Sequence, residues 1–273
     1  MEFYLKEEDI ELLQNDMLDK YGYDFTGYSK ASFRRRMQRL FSMDKITSLA
    51  ELRYRIKTDA DYFTHVVEEI SVNVTEMFRD AQFYKTLREK IIPILATYPF
   101  IRIWHAGCAT GEEVYSMAIL LQEAGLLHKT LLYGTDINPG VLEKARKGIF
   151  SAGHMQQYSK NYLASGGLHD FSSYYTAHYN LAMFDDKLSK RMVFSTHNLV
   201  SDASFNSFQL ILCRNVLIYF DKELQSKVLR TFDQSLNIFG FLALGAKESL
   251  RFSPIIVNYR QLEGREKIWR KIK

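Results

Sequence analysis

At 273 residues, with 47% hydrophobic and 25% charged side chains, the chain can bury one large domain or a large domain and a small one. No window approaches the ~18 consecutive apolar residues that span a bilayer, and Met1–Leu13 is acidic without an apolar run, so neither membrane insertion nor a secretory leader is expected. Cys108 and Cys213 fall at predicted strand ends and read as reduced packing residues of a cytoplasmic protein; the seven histidines show no metal-ligand spacing, so no metal is expected.

Residues 1–95 read as helical, with no alternating strand pattern. The charge is uneven. Residues 1–29 carry eight acids against Lys6 and Lys20, a net −6, whereas residues 30–57 carry nine bases against Asp44 and Glu51, a net +7. Within the basic stretch Phe33, Met37, Leu40 and Phe41 recur at helical spacing, so one face packs and Arg35, Arg36 and Arg39 point elsewhere. That arginine face reads either as a solvated surface or as a docking surface for an acidic partner. Ser71–Asp80 then places Asn73, Thr75 and Arg79 at odd spacing among apolar neighbours. It can start a helix with Thr75 or Asp80 as the cap. A buried arginine there also needs a partner, which a ligand carboxylate would supply.

The most informative segment follows. Ile101–Ala106 reads as a strand, Gly107–Gly111 as a glycine-punctuated turn, and Glu112 onward as an amphipathic helix. Strand, turn and helix open a nucleotide-type α/β domain, whose ligands sit at strand C-termini. A dinucleotide site rests its pyrophosphate on the helix N-terminus, but Glu112 and Glu113 occupy that first turn and would repel it. One of them also suits the helix dipole on structural grounds alone. The pair favours a cationic, phosphate-free ligand, and S-adenosylmethionine, with a sulfonium and an ammonium, fits.

Leu131–Ile137 is a second strand ending at Asp136, which can accept hydrogen bonds from ribose hydroxyls or cap the helix predicted over Pro139–Lys147. Asn138 is the better-placed cap, so Asp136 is assigned to ligand. The segment 151–190 breaks the alternation: a connecting helix or turn over Ser151–Leu163, a turn at Ser165–Gly167, and strand-like Phe171–Asn180. Further strands are predicted at Arg191–Asn198, Phe208–Asn215 and Gly240–Gly245, with Ile255–Leu262 and Glu266–Lys273 as two more around Gly264. Strands alternating with helices argue for a mainly parallel sheet.

Four segments together resemble a known family. Asn73–Arg79 (NVTEMFR), Ala106–Glu113 (AGCATGEE), Gly134–Asn138 (GTDIN) and Cys213–Phe220 (CRNVLIYF) look like the motif set of the chemotaxis receptor methyltransferases, the CheR family, in the family's order. The resemblance implies a small all-α N-terminal domain over 1–75. It also implies a class I, Rossmann-like methyltransferase domain over 76–273, whose mostly parallel sheet has an antiparallel C-terminal strand, with a small antiparallel β-subdomain inserted at about 152–190. It implies S-adenosylmethionine-dependent methylation of glutamate carboxylates on the cytoplasmic domains of methyl-accepting chemoreceptors. Carried over by position, Asn73, Thr75, Arg79, Glu112, Asp136, Asn198, Leu199, Arg214 and Asn215 would line the cofactor site, with Arg79 and Tyr219 nearest the chemistry. Some members use the β-subdomain to bind a short peptide at the receptor's C-terminus, which raises effective concentration. Met77, Val114 and Lys247 depart from the usual pattern, and none is a proposed ligand.

Two other classes compete. A nucleic-acid methyltransferase would explain the α/β core and the arginines, but needs a motif such as Asn/Asp-Pro-Pro-Tyr after the fourth strand, where this chain has Arg214-Asn-Val-Leu217. A non-catalytic scaffold that binds the cofactor or a receptor is opposed by intact Arg79, Asp136 and Tyr219. Tyr219 itself, flanked by apolar Ile218 and Phe220, reads as core unless its place after the fourth strand makes it functional.

Overall fold

The structure, a computed structural model, describes residues 5–71, 75–262 and 264–273. Four helices form the N-terminal unit: α1 (Glu7–Tyr21), α2 (Lys30–Met43), α3 (Leu49–Thr58) and α4 (Ala60–Ile70). Their ends follow local chemistry. Three acids, Glu7, Glu8 and Asp9, sit in the first turn of α1, which closes at left-handed Gly22. Ser48 and Asp59 accept hydrogen bonds from Glu51 and Tyr62 amides to cap α3 and α4. Ile10, Leu13, Met17, Phe33, Met37, Leu40, Leu52, Ile56 and Val66 make one buried cluster. On α2 Arg35 and Arg39 are exposed and Arg36 is partly buried.

Helix α5 (Ala81–Thr86) runs through a π-helical turn at Leu87–Ile91 into α6 (Ile92–Leu95) and leads into the sheet. There follow β1 (Ile101–Ala106), α7 (Glu112–Glu123), β2 (Thr130–Asp136) and α8 (Pro139–Lys147). The inserted unit comprises β3 (Ile149–Ser151), α9 (Ala152–Ala164), β4 (Tyr175–His178), β5 (Leu181–Phe184) and the short α10 (Asp186–Ser189). The chain then returns through β6 (Met192–Thr196), β7 (Phe208–Cys213), α11 (Lys222–Ser235), β8 (Leu236–Leu244), β9 (Tyr259–Gln261) and β10 (Ile268–Lys271).

The large sheet has the order β6-β2-β1-β7-β8-β10-β9. Its first five strands are parallel, and β10 and β9 close it antiparallel. All six residues of β7 are buried, as befits a central parallel strand covered on both faces. The inserted strands form a separate antiparallel sheet, β3-β5-β4, which begins at Ile149, before the boundary expected near 152. Where Ile255–Leu262 was expected to be one strand, Pro254 instead opens a 3₁₀ turn over Pro254–Asn258, leaving only Tyr259–Gln261 extended. The order reverses at β1, which pairs β2 on one side and β7 on the other, and the crevice outside the carboxyl ends of these strands is where such sheets bind ligands.

Candidate active site

The loop after β1 is forced into shape by glycine. Gly107 has φ +76°, and a Cβ there would meet Val216 Cγ2 at 2.4 Å; Gly111 has φ +94°, with Ala145 Cβ at 2.9 Å. Asp136, at the end of β2, accepts from the amides of Ala109 at 2.9 Å and Asn138 at 3.0 Å, and so clamps this loop to the sheet. The cap of α8 is Asn138, whose Oδ1 accepts from the Gly140 amide at 2.8 Å. Burial pushes the Asp136 carboxyl above its ordinary range although these amides pull it down. A carboxylate offers about four acceptor positions, so Asp136 retains capacity for ligand hydroxyls.

The carboxylate on the cleft wall from helix α7 is Glu113, and this corrects the assignment of Glu112. Glu112 accepts from Thr110 Oγ1 at 2.6 Å and interacts with Tyr158 of α9, outside the cleft. Consecutive helical residues point about 100° apart, so one acid enters the cleft and its neighbour leaves it. Glu113 Oε1 lies 2.9 Å from Nδ1 of fully buried His105, and Oε2 accepts from Arg214 Nη1 at 3.2 Å. Burial raises the Glu113 carboxyl, but His105 and Arg214 outweigh it and hold it below the ordinary range.

Arg214 follows β7 and is 9% exposed. Besides Glu113 it donates to Asp80 Oδ2 at 2.6 Å and to the Arg79 carbonyl at 3.3 Å, and its guanidinium lies 4.1 Å from the Phe83 ring centroid. A buried guanidinium requires this many partners, and the result pins the 75–80 loop over the cleft. The same loop is anchored from behind: buried Phe78 donates its amide to Ser116 Oγ at 2.9 Å, and Asn161 Nδ2 donates to the Met77 carbonyl at 3.0 Å. Thr75 and Arg79 thereby line the cleft.

The loop after Arg214 is organised by Glu248, which the sequence reading did not single out. Its carboxylate accepts from four backbone amides, those of Asn215 (3.0 Å), Val216 (2.9 Å), Ile218 (3.3 Å) and Gly245 (2.6 Å). Asn215 is left-handed at φ +63°, and Tyr219 closes the following 3₁₀ turn, Leu217–Tyr219. Beyond β6, Asn198 and Leu199 form another wall, beside His197, whose Nδ1 is buried with no hydrogen-bond partner among the described residues.

Of the residues expected at the site, Thr75, Arg79, Asp136, Asn198, Leu199, Arg214, Asn215 and Tyr219 line this one cleft. Asn73 lies outside the described residues. Tyr28 and Glu113 also line it but were not assigned; the Glu112–Glu113 doublet was the signal for Glu113, and no local pattern marked Tyr28. The residues fit S-adenosylmethionine. Asp136 could take ribose hydroxyls, Glu113 could meet an ammonium, Arg79 could meet a carboxylate of cofactor or substrate, and His197 Nδ1, which has no hydrogen-bond partner among the described residues, leaves a polar group for the base. Among the described residues no group of three His, Cys, Asp or Glu is placed to hold a metal. Both cysteines are free and buried, and burial raises their thiols well above the ordinary value.

Comparison with known proteins finds matches to both units of the chain. A family profile described as the CheR methyltransferase, SAM binding domain, matches residues 73–264, and the CheR methyltransferase, all-alpha domain, matches residues 8–71. A Pseudomonas putida protein named as a methyltransferase, Cher3, is 43% identical over 263 residues, covering 96% of each chain. The chemotaxis protein methyltransferase of Vibrio anguillarum is 33% identical and covers 80% of both chains. That of Listeria innocua is 29% identical over 84% of this chain and 85% of its own.

Proposed function

The chain belongs to the CheR methyltransferase family, and from that premise we propose that it forms methyl esters on glutamate side chains of chemoreceptor cytoplasmic domains. It is an S-adenosylmethionine-dependent methyltransferase; the glutamate substrate is our reading. The observation that carries it is the convergence of Arg79 and Tyr219 on the cleft that Asp136 and Glu113 also line.

When bound, S-adenosylmethionine supplies a methyl group on a positively charged sulfur. Asp136 would hold the ribose hydroxyls, Glu113 the ammonium, and Asn198 and Leu199 the base. Thr75 and Asn215 would complete the wall. A substrate glutamate has an unperturbed pKa of about 4.3, so it arrives ionised and needs no base. The protein must strip water from that carboxylate and hold it in line, and positioning of this kind contributes about 7–11 kcal/mol. Arg79 offers a charge-assisted donor and Tyr219 a phenol, and neither has to titrate. Mass-spectrometric mapping of a treated receptor fragment tests the reading: methyl groups belong on glutamate, and methylation of lysine alone would overturn it.

The same geometry supports a reading of how a receptor docks. Ser29, the residue before helix α2, donates its amide to the Tyr219 carbonyl at 2.8 Å, so the basic helix starts at the edge of the catalytic loop. We assign its exposed arginines to the acidic methylation helices of a receptor. The inserted sheet, with exposed Leu181 and Met183 and the edge strands β3 and β4, is the proposed seat of a receptor C-terminal peptide. Among the described residues no helix is long and apolar enough to cross a membrane, and action on receptor cytoplasmic domains would place the protein in the cytoplasm.

A further inference from the structure

The N-terminal helical unit does more than carry α2: it completes the wall of the cleft. Residues 27–29 run antiparallel to residues 219–221 of the methyltransferase domain, with Tyr28 and Phe220 paired as an isolated bridge. Two backbone hydrogen bonds close the strap, Ser29 amide to Tyr219 carbonyl at 2.8 Å and Asp221 amide to Gly27 carbonyl at 3.0 Å. The approach is close enough that a Cβ on Gly27 would lie 2.8 Å from Leu224 Cδ2. Phe25 and Phe220 fix the Tyr28 ring edge-on, each at a centroid distance of 5.1 Å.

This ring lines the same cleft as Asp136, and among the described residues its hydroxyl makes no hydrogen bond. Burial first, and the negative charges of Asp136 and Asp24 next, push the phenol upward, so it stays a protonated donor. An apolar ring held from both sides, with a spare donor beside the carboxylate assigned to ribose, suits the sugar end of a nucleoside.

We propose that Tyr28 is a cofactor-contacting residue contributed by the helical domain: its ring covers the ribose of S-adenosylmethionine and its hydroxyl donates to the sugar or to the Asp136 carboxylate that holds it. Bound cofactor then fastens the strap, and with it the start of α2, against the Tyr219 loop. The proposal rests on the reading of this cleft as the cofactor site.

The test is calorimetric binding of S-adenosylhomocysteine to the full chain, with thermal unfolding of each variant measured without ligand. Tyr28→Phe should weaken binding about 3–10-fold, the worth of one neutral hydrogen bond, and leave the ligand-free midpoint unchanged; Tyr28→Ala should weaken it further. Asp136→Ala is the reference for the site itself. If both Tyr28 variants bind like the parent while Asp136→Ala loses affinity, the proposal is overturned and the cofactor site stands. If all three variants bind like the parent, the proposal is overturned and Asp136 is a loop clamp alone; if the parent itself binds no S-adenosylhomocysteine, the cofactor reading fails and this proposal falls with it.

Discussion

The Glu248 carboxylate accepts from the Asn215 amide at 3.0 Å, so a residue after β8 sets the backbone that follows β7. Three more amides converge on the same carboxylate. The left-handed turn at Asn215 and the 3₁₀ turn carrying Tyr219 are therefore shaped by one buried side chain. Replacement of Glu248 by Ala strands several buried donors, and hydrogen bonds to a charged group are worth about 1.5–3 kcal/mol each. Urea unfolding should show a loss of at least about 2 kcal/mol, accompanied by reduced turnover. Unchanged stability would mean that the loop holds its form without this carboxylate.

Asp136→Ala should raise the dissociation constant for S-adenosylhomocysteine roughly 10- to 100-fold, because ribose hydroxyls lose an ionised acceptor worth about 1.5–3 kcal/mol and the Ala109 amide loses its clamp. Asp136→Asn, which keeps one acceptor oxygen for that amide, should be the milder change. Calorimetry decides it. Parent-like affinity in the folded alanine variant would leave Asp136 as a loop clamp alone.

Glu113 gives a pH signature. Its folded-state pKa is held below the ordinary 4.5 by His105 and Arg214, which outweigh its burial. The folded protein therefore takes up this proton at lower pH than the unfolded chain does. Ionised Glu113 contributes stability that is fully present above about pH 4.5 and is lost as the pH falls through the lower folded value. Glu113→Gln should thus be less stable than the parent at pH 6, and the gap should narrow below pH 4.5. A gap constant from pH 6 to pH 3 would contradict the ion-pair assignment.

The mainly parallel sheet and most of its strands were legible in the chain, for reasons visible in particular residues. Ile101–Ala106 is mostly apolar before a glycine turn, and Asn138-Pro139 marks a helix start so plainly that Asp136 is left for another task. What was not legible depends on direction or on distance. Glu112 and Glu113 are chemically identical neighbours, and only the rotation of α7 against β1 and α9 decides which faces inward. Tyr28 and Glu248 are remote in sequence from the motifs they touch, and they act through backbone contacts that leave no local pattern. Ile255–Val257 is rich in β-branched residues yet forms a 3₁₀ turn, because Pro254 starts it and Ile255 alone of the three is buried.

Substitution of Tyr219 by Phe should lower turnover about 10- to 100-fold with little change in cofactor affinity, the cost of a misplaced reacting group. Arg79→Ala should cost at least as much. A Tyr219→Phe variant that methylates a receptor fragment at the parent rate would return the phenol to packing.

The arginine face of α2 predicts salt dependence. Exposed charges are screened beyond a Debye length of about 8 Å at physiological ionic strength, so methylation at low substrate should fall as salt rises, through KM or association rate more than kcat. Reversal of Arg35, Arg36 and Arg39 to Glu should reproduce the loss and leave cofactor affinity intact. Arg39, itself exposed, also lies 3.5 Å from the largely covered Glu69 carboxylate, so its reversal also sets two acids side by side. Normal methylation by the triple variant at low salt would move receptor docking elsewhere.

Esterification of receptor glutamates is decided by incubating the protein with methyl-labelled S-adenosylmethionine and a chemoreceptor cytoplasmic fragment, then exposing the fragment to mild base. Label is expected on the fragment, released as methanol by base and absent when the methylatable glutamates are replaced by alanine. Label that survives base, or that persists without those glutamates, would contradict it.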